Sequence, residues 1–160
     1  MEKLRDGVFG KVFVDKPTKS LHLCSSESIA DLGTVVSTKS QHFGLLIAFD
    51  ARGVKWEAIE SVAEKLIGKG LVYLCAWGPD CERVHDAFDD ASVKLNAEPT
   101  DDDVIMTTWH SKEGLTEALW FFVHSAYPTR SYEHSCNDWV IAIIGNPQWE
   151  QIVRAAMGTE

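Results

Sequence analysis

The feature that most constrains this chain is a fourfold alternation running from residue 43 to the end: a short apolar run, then a segment whose apolar residues recur at helical spacing. An apolar run bounded by turn signals reads as a buried strand, and a 3.6-residue stripe reads as a helix laid against it. Strand and helix in strict succession make neighbouring strands point the same way, because each helix carries the chain back to the end where the preceding strand began.

The first unit is Phe43 to Phe49, followed by Trp56, Ile59, Ala63 and Leu66 on one stripe and a stop at Gly68-Lys69-Gly70. The second is Leu71 to Ala76, then Trp77-Gly78-Pro79-Asp80, where Asp80 is expected to cap a helix carrying Val84, Ala87, Phe88, Ala91 and Leu95. The third is Val104 to Thr108, leading through Trp109-His110 to Ser111, the expected N-cap of a helix with Leu115, Ala118, Leu119, Phe122, Val123 and Ala126 facing inward; Tyr127-Pro128 ends it. The fourth is Trp139 to Ile144, apolar enough to be buried on both faces. Gly145-Asn146-Pro147 then supplies a turn, an N-cap and a proline at the first helical position before the stripe Trp149, Ile152, Val153 and Ala156. The expected fold is α/β: a mainly parallel sheet of four consecutive strand-helix units flanked by helices, Rossmann-like or flavodoxin-like in its three layers.

Residues 1–42 read differently. Lys11 to Asp15 and Leu21 to Ser25 flank Lys16-Pro17-Thr18-Lys19 as the arms of a hairpin at a sheet edge, and Ser26 to Gln41 is polar and mixed, with room for one helical turn. Nothing marks a linker, so residues 1–160 are expected to form one domain. Apolar residues make up 45% and charged residues 24% of the chain, the balance of a folded globular protein.

No apolar run approaches the roughly 20 residues that cross a bilayer, and Met1 to Gly7 lacks the apolar segment of a signal peptide. Cys24, Cys75, Cys81 and Cys136 are scattered, as free thiols in a reducing, cytoplasmic setting would be. A net charge of −9 opposes binding to nucleic acid or to an anionic membrane. It suits a small cationic ligand, a basic protein partner, or solubility alone.

Ligands of open parallel sheets usually bind beyond the carboxyl ends of the strands, where helix amino termini and loops converge. That rule nominates Asp50-Ala51-Arg52-Gly53, Trp77-Gly78-Pro79-Asp80-Cys81, Thr107-Thr108-Trp109-His110-Ser111 and Gly145-Asn146-Pro147-Gln148. The binding candidates are Asp50, Arg52, Trp77, Asp80, Cys81, Trp109, His110 and Asn146; Asp50, Asp80, Ser111 and Asn146 also read fully as caps or turn residues. Trp77 and Trp109 are expected either to clamp a planar ligand or to lid the core. Arg130 and His134, in the irregular stretch Pro128 to Asp138, are candidates for a lid over the same crevice.

Metal and cofactor motifs are absent from the sequence. Cys81 and His85 lie one helical turn apart, but two ligands do not make a zinc site, and no Cys-x-x-Cys or His-Glu-x-x-His occurs. The run Ala76 to Cys81 has a glycine after Trp77, where the dithiol chemistry of thioredoxins needs a cysteine. Gly7-Val8-Phe9-Gly10 is too short for a dinucleotide fingerprint, and there is no Gly-x-Ser-x-Gly elbow. Asp101-Asp102-Asp103 reads as a solvated loop or a cation site. The expectation is therefore no metal, no cofactor, and a non-catalytic binding or regulatory domain acting on a small ligand or a protein partner, an inhibitor or immunity-type protein included. The alternative is an enzyme acting on a nucleotide-like substrate, with Asp50 or Asp80 as acid/base, His110 as proton shuttle and Trp77 as stacking wall.

Overall fold

In the computed structural model, which describes residues 1–4 and 18–158, the alternation resolves into a six-stranded sheet with helices on both faces. The strands are β1 (Glu2–Lys3), β2 (Ser20–Ser26), β3 (His42–Ala48), β4 (Leu71–Trp77), β5 (Met106–His110) and β6 (Cys136–Ile144), ordered β1-β2-β6-β3-β4-β5. Strands β2 to β6 run parallel, and β1 pairs antiparallel with β2. The helices are α1 (Leu32–Val35), α2 (Trp56–Gly68), α3 (Cys81–Leu95), α4 (Leu115–His124) and α5 (Pro147–Met157). Among the described residues no helix is long and apolar enough to cross a membrane.

Side-chain alternation along the strands sorts the core into two layers. Leu45 and Ile47 of β3, with Val140, Ala142 and Ile144 of β6, pack with residues of α1, α2 and α3. Leu46 and Ala48, with Trp139, Ile141 and Ile143, pack with residues of α4 and α5. This is the three-layer α/β arrangement that the strand-helix alternation implies.

Several local expectations change. Leu21–Ser25 lies inside β2, which pairs parallel with β6 and adds a fifth strand-helix unit; its antiparallel partner is Glu2–Lys3, while the other expected arm, Lys11 to Asp15, lies outside the described residues. The helical turn in the polar stretch is a 3-10 turn, Ile29–Asp31, running into α1, with Ser28 accepting the Ala30 amide. The third strand sits two residues later than its apolar run suggests, because Met106–His110 pairs with Tyr73–Trp77. Ser111 is not a cap: α4 begins at Leu115 behind Gly114, with no side-chain cap bond. Asp80 stands at the N-cap of α3 in the left-handed region (φ 62°), also without a side-chain cap bond. Asn146 does cap α5, accepting from the Gln148 and Trp149 amides ahead of Pro147.

One packing feature locks β6 into the middle of the sheet. Gly44 of β3 is the register partner of Trp139, and a Cβ built on Gly44 would lie 2.3 Å from the indole. The buried ring also meets Tyr73 at 5.8 Å and Phe122 at 5.2 Å between centroids. Over it lies the ammonium of buried Lys19, 3.8 Å from the ring centroid, donating to the carbonyls of Phe122 (2.6 Å) and Ala126. A cation is favoured on the π face of an indole and at a helix carboxyl terminus alike.

Gly44→Ala should therefore cost about 1–3 kcal/mol through overpacking. Gly68→Ala, on the exposed last turn of α2 with nothing near its Cβ, should be neutral or stabilise by up to about 1 kcal/mol. Urea unfolding of the two variants side by side checks both signs.

Candidate functional site

Because α1, α2 and α3 cover one face and α4 and α5 the other, neighbours β3 and β6 send their helices to opposite faces, and so do β4 and β5. Both pairs satisfy the geometric condition for a crevice at the carboxyl ends. The loops there are cross-bonded to one another. Phe49 donates to Trp77 O and Ala51 to Pro79 O, both at 3.0 Å, and Arg83 donates to the carbonyls of Ala51 (2.9 Å) and Val54. Gly78, at φ 115°, makes this closeness feasible, since a Cβ there would meet Phe49 O at 2.3 Å.

Most candidate side chains on this rim have a partner. Arg52 grips Asp50 through two guanidinium bonds (2.9 and 2.7 Å), and that donation holds the Asp50 carboxyl below the usual carboxylate range. Asn146 spends its carbonyl on capping α5, beside a hollow of about 130 Å³ bordered by Ser26 and Gly145. Asp80 is exposed near Arg52 rather than turned onto its own helix. Cys81 is only 1% exposed; burial pushes its thiol up, outweighing the amides of His110, Cys81 and Glu82 that would favour a thiolate.

The two indoles are not brought together. Trp77 and His110 are register partners and share the face covered by α4, whereas Trp109, one residue earlier on β5, points to the α3 face. Trp77 donates to Glu113 O (2.8 Å) and packs edge-on against Trp149 at 4.9 Å. Trp109 stays 44% exposed and lies 4.5 Å from the His85 ring. The pleat thus excludes the expected clamp. The expected lid is also misplaced: α4 returns the chain to the amino ends of the strands, so exposed Arg130 and His134 sit at the end of the sheet opposite the crevice.

The sequence reading missed two histidine constellations. His110 Nδ1 is 3.0 Å from Glu113 Oε2 and its Nε2 is 3.1 Å from Thr108 Oγ1, with the ring against Phe121 at 4.7 Å. Carboxylate and hydroxyl take opposite ring nitrogens, the polarity of a general-base relay. The Thr108 hydroxyl, however, also contacts Leu74 O and Cys75 Sγ (3.4 and 3.3 Å), which turns it into the sheet. The i, i+3 spacing of His110 and Glu113 is the signal that would have found this pair.

The second constellation lies at the amino ends. Asp138 accepts from the Lys39 and Ser40 amides (2.7 and 3.0 Å) and from His22 (3.1 Å), while Ser20 approaches His22 at 3.2 Å. Both Ser20 and Asp138 use the same nitrogen, Nε2, so this is not a Ser-His-Asp relay. Burial opposes ionisation of Asp138, yet the two amides and His22 together hold its carboxyl below the usual range. A cleft of about 450 Å³ opens beside it, and one of about 400 Å³ opens between the carboxyl termini of α2 and α3, where helix carbonyls gather. Among the described residues no group of three or more His, Cys, Asp and Glu side chains is placed to hold a metal ion.

Fold and site together define a three-layer α/β arrangement whose carboxyl-end loops are bonded mainly to each other and in which, among the described residues, β5 has no second strand partner. The chain belongs to the family described as Domain of unknown function (DUF7684), whose model matches residues 18–160, a span that includes all five parallel strands. No curated protein matches the chain.

Two outcomes follow from the titrating groups. Burial raises all four thiols, Cys75 and Cys136 to about 12, so at pH 8 the native protein should react with a disulfide reagent at least about 100-fold slower than the denatured chain. The Asp138 carboxyl, depressed in the folded state, contributes stability above its ordinary value that is lost as pH falls through the folded value. Asp138→Asn should cost about 2 kcal/mol at neutral pH and progressively less toward about pH 3, read from urea midpoints.

Proposed function

We propose that this chain is a non-catalytic binding domain that engages a positively charged protein partner along the flank formed by α3 and β5. The observation carrying this reading is the segregation of charge around α3. Its basic residues face inward or toward α2: Arg83 is held by the Ala51 and Val54 carbonyls, and Lys94 pairs with Glu60 at 2.6 Å. Of its four carboxylates, Glu82, Asp86 and Asp89 face the other way, while Asp90 lies beside Lys94. Asp89 accepts from Thr107 of β5, Asp86 lies against His85, which packs on Trp109, and Glu82 stands one turn before Asp86 on the same face. The flank combines negative charge with the exposed Trp109 ring, the mixture that steers a basic partner and then holds it, while Met106 (37% exposed) adds apolar area on the other face of the same strand.

A second reading, an enzyme using His110, draws on the Glu113-His110-Thr108 series. The binding reading is preferred because His110 is 6% exposed and the other rim groups are committed to one another.

Placing a photo-crosslinking residue at position 109 and, as a control, at exposed Ile152 on α5 tests the binding reading in the source cell. Adducts should form at 109 and fall about tenfold when Glu82→Lys and Asp86→Lys are combined. Equal yields at 109 and 152, or yields indifferent to charge reversal, would remove the flank from consideration.

A further inference from the structure

The sheet has two edges, and they are treated differently. Short β1 covers β2 on one side, whereas β5 ends the sheet on the other. An edge strand offers unpaired N–H and C=O groups, and proteins usually blunt it with lysine, proline or a bulge. Met106-Thr107-Thr108-Trp109-His110 has none of these; its register with β4 is unbroken, and Thr107, Thr108 and Trp109 are β-branched or aromatic. Among the described residues no further strand pairs with it.

Resting on the binding reading above, we infer that the partner is recognised by strand addition: an extended segment with alternating basic and apolar residues lies against β5 as a seventh strand. The alternation follows from the pleat. Residues of an incoming strand that fall on the α3 side meet Asp86, Asp89 and the exposed Trp109 ring, so lysine or arginine there gains carboxylate partners and a cation–π surface. Residues on the α4 side, the face of Thr108 and His110, meet exposed Met106 and the Phe121 neighbourhood, which favour an apolar side chain. Main-chain bonds then supply affinity while the alternating side chains supply choice. Charge selects this occupant over a second copy of the chain, because pairing β5 with β5 would bring two carboxylate-bearing α3 flanks together in molecules of net charge −9.

Three synthetic peptides of about nine residues, the length of a long strand, test this on the isotope-labelled intact chain by amide NMR. One alternates Lys and Val, one replaces Lys with Glu, and one keeps Lys and Val but is N-methylated at every second residue, which retains charge and abolishes main-chain donation. The Lys/Val peptide should shift the amides of Met106 to His110 saturably and slow their hydrogen exchange. The N-methylated peptide should bind about tenfold more weakly, and the Glu/Val peptide should not bind. If the N-methylated peptide binds as tightly at the same flank, strand addition is wrong and the charged-partner reading survives. If no peptide perturbs β5 although crosslinks form at position 109, strand addition again falls alone; if crosslinks fail as well, both fall. A self-associated species with protected β5 amides, seen by light scattering, would overturn the basic partner in favour of a second copy.

Discussion

The architecture depends on an indole lying where its neighbour has no side chain. Trp139 and Gly44 face each other across β6 and β3, and the volume that Gly44 omits is the volume that the ring occupies. Around that ring gather Tyr73 from β4, Phe122 from α4 and the Lys19 ammonium, so residues from four elements and the segment leading into β2 meet on one side chain. The contact explains how the last strand of the chain comes to lie between β2 and β3, far in sequence from both. It also explains a buried lysine, which would be costly alone but here completes the carboxyl terminus of α4.

Inserting β6 at that point decides which loops are neighbours. It places the Asn146 turn beside the Asp50 loop, which is bonded in turn to the loop that follows β4. Short bonds hold the loops of this rim: Arg52 to Asp50 within one loop, Arg83 to the Ala51 carbonyl between the loops after β3 and β4, and Trp77 to the Glu113 carbonyl between those after β4 and β5. Groups that satisfy one another so fully are stabilising the helix entries, and a ligand would have to displace those bonds before making its own.

What the sequence made legible was what depends on local period. Four of the five strand-helix units stand out because β3, β4 and β6 are buried on both faces and α2, α3, α4 and α5 each carry one apolar stripe. Asn146 and Pro147 were equally readable, since capping is settled within four residues. The edge pairing of β2 with an N-terminal strand was legible, but its parallel pairing with β6 was not, because Ser20, His22, Ser25 and Ser26 interrupt its apolar pattern and β6 lies more than a hundred residues away. The relative placement of the site residues was hidden for the same reason on a finer scale. Whether Trp77 and Trp109 face each other depends on strand register and the parity of the pleat, and His22 reaches Asp138 only through the strand order.

The two sheet edges show why the functional argument rests on β5 rather than on the crevice. At the β2 edge, Leu4 and Leu21 are buried and β1 takes up main-chain groups of β2. At the β5 edge the chain leaves a tryptophan and a methionine in water, and the tryptophan lies beside a helix whose lysine and arginine are turned away and whose Asp86 and Asp89 lie on its side. Exposed apolar side chains on an unblunted strand invite indiscriminate pairing, and a fringe of like charge is the physical means of restricting it. The carboxylates repel most of the acidic surfaces such an edge would meet, this chain's own included, and leave it open to cationic ones. In this reading the net charge of −9 is part of how the edge chooses its partner, and the Trp109 ring is what rewards the choice once contact is made.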